Sequence, residues 1–116
     1  MSSPARQDLT NVVAGDDYSL QIVILDDAGQ PVNLTGRNYI AQIRADPTAT
    51  NTPECAFTCT VPTPANGTVD LLAADTQTDN LSPNSAYWWS LLEIAGAIKT
   101  TIVYGRVTVL AQIAKE

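Results

Sequence analysis

The sequence contains no histidine, one methionine and one phenylalanine, and six cationic side chains stand against twelve acidic ones for a net charge of −6. The missing imidazole removes Ser-His-Asp and Cys-His catalysis and most zinc and transition-metal sites. The cations (Arg6, Arg37, Arg44, Lys99, Arg106 and Lys115) are scattered along the chain. Binding to a phosphate backbone or to an anionic lipid surface needs clustered cations, so neither nucleic acid nor membrane is expected as a partner. The chain has no apolar run of about 18 residues that could cross a bilayer as a helix. Met1 to Asp8 is polar and lacks the charged-then-apolar layout of a signal peptide, so synthesis in and release into a cytoplasm is expected.

What is present suits one small domain. A chain of 116 residues buries roughly 65% of its unfolded surface, enough for a core without disulfides or metal. Apolar residues make up 45% of the chain, an ordinary share, and charged residues 16%, a low one. The neutral surface this leaves suits either contact with other proteins or a Thr- and Asn-rich coat.

Hydrophobic periodicity sets the class. Tyr18, Leu20, Ile22 and Ile24 share one face of a period-2 run that ends in the turn Asp26-Asp27-Ala28-Gly29. Val32 and Leu34 then plug the end of the core, and Tyr39, Ala41 and Ile43 alternate in a second strand over 37–44. After a loop over 46–53, a third strand places Cys55, Phe57, Cys59 and Val61 on one face. Asn66-Gly67 is a hairpin signal leading to a strand over 68–72. The stretch 73–84 allows one or two helical turns, capped by Asp75 or Thr76. Strands over 86–94 and 98–104 follow, and Gly105 reads as a bulge or bend before a last alternating stretch from Val107 to Ile113. Seven or eight short strands with turns every 8–12 residues are the pattern of an all-β sandwich or barrel.

Few residues offer chemistry. Cys55 and Cys59 lie four apart on a strand, about 13 Å between Cα atoms at strand rise, and a disulfide needs about 7 Å or less. They also lack other soft metal ligands, so they read as small core hydrophobes. The carboxylates of Asp16-Asp17, Asp26-Asp27, Asp75 and Asp79 flank turns, where Asp serves the backbone. No catalytic, cofactor or metal-binding set is assigned. Trp88 and Trp89 are adjacent, so on a strand they point to opposite faces; the alternation leaves open which is outward and free to anchor a contact or stack on a sugar. Residues 1–14 are too polar to build core and read as an N-terminal arm beside a domain over 15–116. A terminus needs something to lie on, either a neighbouring subunit or its own domain. The candidate interface residues are therefore Arg6, Leu9, Val12, Trp88 and Trp89.

A series of short motifs adds to this. Gly15-Asp16-Asp17-Tyr18-Ser19-Leu20-Gln21-Ile22, then Asp27-Ala28-Gly29-Gln30-Pro31-Val32-Asn33-Leu34-Thr35-Gly36, then Ala41-Gln42-Ile43-Arg44 resemble the start of small immunoglobulin-like phage virion proteins. The N-terminal domain of baseplate upper proteins is similar. Asn66-Gly67-Thr68-Val69-Asp70-Leu71, the stretch Ala73 to Thr78, Tyr87-Trp88-Trp89 and Gly105-Arg106-Val107-Thr108-Val109 continue the resemblance. It spans residues 15 to 113, with a Cys- and Pro-containing departure over 46–65. The resemblance implies an immunoglobulin-like β-sandwich of about seven to eight antiparallel strands. It also implies a structural role in a virion assembled in the host cytoplasm, in contact with other phage structural proteins as a homo- or hetero-oligomer. A tail or baseplate adaptor is the leading expectation and a capsid decoration protein the alternative. A carbohydrate-binding module is the alternative of another class, and an enzyme is not expected.

Overall fold

The computed structural model describes residues 5–46 and 53–113. Most of the loop expected over 46–53 thus lies outside the described residues. Strands β1 (Ala5–Arg6), β2 (Leu9–Val13), β3 (Tyr18–Val23), β4 (Asn38–Arg44), β5 (Cys55–Thr60), β6 (Thr68–Ala73), β7 (Ala86–Ala95) and β8 (Ile98–Leu110) form one curled sheet, with a single helical turn, α1 (Asp75–Thr78), between β6 and β7. No helix among the described residues is long and apolar enough to cross a membrane.

The sheet folds over itself at β5. Its first half pairs with β4 (Ala41 opposite Phe57) and its second half with β6 (Thr58 opposite Leu72). One layer is therefore β4-β7-β8 and the other β5-β6-β3. Period-2 alternation turns Ile22, Ala41, Ile43, Cys55, Phe57, Val69, Leu71, Trp89, Leu91, Val103, Val107 and Val109 into the space between the layers, each at most 8% exposed. Leu34 caps this core at 1% exposure, as its position after Pro31 predicts.

The connectivity is that of an immunoglobulin-like sandwich, with β3-β6-β5 facing β4-β7-β8. A tyrosine corner supports this reading. Tyr87, at the start of β7, accepts a hydrogen bond at its hydroxyl from the Ser82 N–H at 2.8 Å and is buried. The fold is an all-β, immunoglobulin-like sandwich.

Three details differ from the sequence reading. The helical turn takes its N-cap at Ala74, not at Asp75 or Thr76: Asp17 of the β2–β3 turn accepts the Asp75 N–H at 2.7 Å, and the Asp75 carboxylate accepts the Thr76 N–H at 2.8 Å. The irregularity in β8 sits between Val103 and Thr101, where Ile102 is the extra residue opposite the Leu91–Leu92 step, not at Gly105. Finally, the strands are not all antiparallel, because β1 and β2 run parallel to β8.

The last difference corrects the arm. Residues 5–13 are strands of the domain itself, with Leu9 2% and Val12 0% exposed. Polar composition concealed this because the two apolar residues are three apart. A register shift between Leu9 and Val12 turns both inward, which strict alternation does not allow.

Candidate interaction face

The register of β7 against its neighbours decides the two tryptophans. Trp89 points inward, is 2% exposed and lies tilted against Phe57 with ring centroids 6.3 Å apart. Its indole N–H donates to the Gln7 carbonyl at 2.7 Å. The reach is possible because Gly105 is directly opposite Trp89 on β8. Any Cβ at Gly105 would overlap the Gln7 carbonyl, so glycine is there for close approach of the arm, not for a bend. Gln7 N–H donates to the Tyr104 carbonyl at 2.9 Å, and Arg106 N–H to Asp8 Oδ1 at 3.0 Å. Of the expected interface residues, Leu9, Val12 and Trp89 are therefore core and cannot meet a partner in the folded domain.

Trp88 points outward, and the same register assembles a face around it. Reading across β4, β7 and β8, one row is Arg44, Trp88, Arg106, and the next is Gln42, Ser90, Tyr104. Ile40 and Leu92 continue the face, and Ile40 (41%) and Tyr104 (36%) are well exposed. The Arg106 guanidinium carbon lies 4.9 Å from the Trp88 ring centroid and that of Arg6 6.0 Å away, both cation–π contacts. Arg44 Nη2 donates to Gln42 Oε1 at 3.0 Å. A depression of about 190 Å³ lies among Gln42, Arg44, Trp88, Ser90 and Tyr104.

Cations scattered in sequence are thus gathered in space: three of the six, Arg6, Arg44 and Arg106, surround one tryptophan. Arg6 also pairs with Asp8 at 3.2 Å. The Arg106 backbone N–H, with help from the Arg6 guanidinium, holds the Asp8 carboxyl below its usual range. Sequence reasoning reached Arg6 and Trp88 but missed Arg44, Arg106 and Tyr104. The signal was strand pairing, since Arg44 and Arg106 both sit opposite Trp88, and pairing is invisible until the register is known.

The other polar features are structural. Glu93 is 7% exposed and is satisfied by Tyr39 Oη at 2.7 Å and Arg37 Nη1 at 3.2 Å. Burial and the adjacent carboxylate raise the Tyr39 phenol far above its ordinary value. The Arg37–Glu93 ion pair lines a slot of about 490 Å³ between β3 and β8, whose walls mix aliphatic side chains (Ile22, Ile24, Val32, Ile102) with Asp26 and Asp27. Cys55 and Cys59 are free thiols, and burial pushes Cys55 up to about 11. A buried thiol held protonated is a poor nucleophile.

No family model and no curated protein matches this sequence. Among solved structures, the chain is similar to the Lin-41 filamin domain, with 11% identity and a TM-score of 0.39 over 80% of this chain and 81% of that one. It is also similar to part of the 2,6-sialyltransferase of Photobacterium sp. JT-ISH-224, with 11% identity and a TM-score of 0.38. That match covers 96% of this chain and 19% of the other.

Proposed function

We propose that the chain is a non-catalytic structural protein of a phage particle, an adaptor of the tail or baseplate, that assembles through the outward face of β4-β7-β8. The observation that carries this reading is the sheet face, exposed at Ile40 and Tyr104, on which Trp88 and Tyr104 stand among Arg6, Arg44 and Arg106. Trp, Tyr and Arg are the residues in which interface binding energy concentrates. They are held here by strands, so little order is lost on docking. The resemblance of the motif series to small immunoglobulin-like virion proteins supports the phage setting.

The same face weighs against the other classes. A sugar platform needs an open ring face, and Arg106 lies over that of Trp88. Nucleic acid needs a stripe of cations, and this patch is short and has Asp8 at its rim.

The test is incorporation. Tagged protein expressed during infection should co-sediment with particles, and Trp88→Ala or Arg106→Glu should lower its occupancy without unfolding it. Copies in small rings support a tail site, whereas copies in proportion to the capsid lattice overturn it in favour of decoration. Complete particles lacking the protein overturn the whole reading.

A further inference from the structure

The arginine face has a counterpart on the same molecule. The β2–β3 turn and α1 meet at one end of the sandwich, where Asp75 N–H donates to Asp17 and Thr78 Oγ1 donates to the Asp16 carbonyl at 2.6 Å. Asp16, Asp17, Asp75 and Asp79 are all exposed there. None forms an ion pair with any described residue. The chain is therefore polarised: half its cations stand on one sheet face, and a third of its twelve acids stand at one end, with no ion pair to a cation among the described residues.

We infer that the occupant of the Trp88 face is a second copy of this chain, docked by its acidic end. The inference rests on the face being an interface and names what covers it. Arg106, exposed and with its guanidinium carbon 4.9 Å from the Trp88 ring centroid, offers a planar cation to a carboxylate. Tyr104, Ile40 and Leu92 supply the apolar contact that surface ion pairs alone do not. The face and the end are different surfaces, so the contact is heterologous. Each copy keeps one free face and one free end, and association proceeds to rings or rows. Two molecules of charge −6 repel at long range. Physiological salt screens that repulsion beyond about 8 Å and leaves the contact pairs in place.

Sedimentation velocity over a concentration series at physiological salt tests this. The wild-type chain should form species larger than a dimer and revert towards monomer in molar salt. Arg106→Glu should weaken self-association by about tenfold or more, as expected for a like-charge contact. Asp75→Lys/Asp79→Lys should do the same from the other side. Circular dichroism should show both variants folded, since all three side chains are exposed.

The decisive arm mixes the two variants. One retains the acidic end and the other the arginine face, and the two charge reversals are themselves complementary, so the mixture should regain the association that each variant alone has lost. A mixture that stays monomeric, a wild-type chain monomeric at every concentration, or an Arg106→Glu chain that associates as wild type does would each overturn the proposal. If the wild-type chain is monomeric yet Arg106→Glu still loses its place in particles, the second copy is refuted and the structural-protein reading stands.

Discussion

Trp88 and Trp89 are chemically identical neighbours with opposite surroundings. Trp89 lies between the layers, touches Phe57 and reaches through the gap at Gly105 to the arm. Trp88 lies half-buried on the outer face under two guanidinium groups. One strand thus serves two purposes, stability on its inner side and recognition on its outer side. The difference comes from pleat alone, because successive side chains of a strand point to opposite faces. Substitutions on the two sides should therefore separate folding from binding.

The largest separation is expected from truncating each tryptophan. Trp89→Ala removes a buried aromatic and leaves the Gln7 carbonyl without its donor, a loss of about 3–5 kcal/mol. That is a large share of the stability of an ordinary domain, about 5–15 kcal/mol. Trp88→Ala loses two cation–π contacts and partial burial, about 1–2 kcal/mol. Urea denaturation of the two variants measures the gap. Equal midpoints would show that the outer tryptophan is also a folding residue and would break the comparison.

A smaller effect should come from Gly105→Ala. The new methyl group displaces the Gln7 carbonyl and breaks its bond to Trp89, at about 1–3 kcal/mol. The loss should be local. Amide exchange at residues 7–13 should rise while the β4, β7 and β8 amides keep their protection. If the arm amides stay protected, the parallel ladder to β8 holds the arm without the indole contact.

Residue pattern made much of this architecture legible, and its limits have identifiable causes. Alternation found β3 to β8 because each buries one face, and it put Leu34 in the core and both cysteines on the inward face of β5. It failed at the arm, where a register shift rather than alternation brings Leu9 and Val12 inside. It read Gly105 as a bend because the Gln7 carbonyl that needs the space lies nearly a hundred residues away in sequence. The interaction face was half legible: Trp88 and Arg6 stood out by type. Arg44 and Arg106 acquire meaning only when β4 and β8 pair on either side of β7.

The smallest effect expected is a pH dependence of the arm, and it probes the border between the two sides of β7. Asp8 Oδ1 accepts the Arg106 N–H and the Arg6 Nε–H, so it links the arm to the strand that carries the outer arginines. The Arg106 amide first and the Arg6 side chain second favour the charged carboxylate and lower its pKa from 3.8. A depressed folded-state value means the unfolded chain takes up the proton more readily. The contribution is then complete above the unfolded value and disappears as pH falls through the folded one. Asp8→Asn should remove that step and leave stability flat across the interval, because an amide does not titrate there. The measurement is arm amide exchange or thermal midpoint between neutral pH and the acid limit, wild type against Asp8→Asn. Because Asp8 is exposed, the change should be small beside that of Gly105→Ala. An equal acid step in the variant would assign it to other carboxylates and show that the arm is held from the Trp89 side alone.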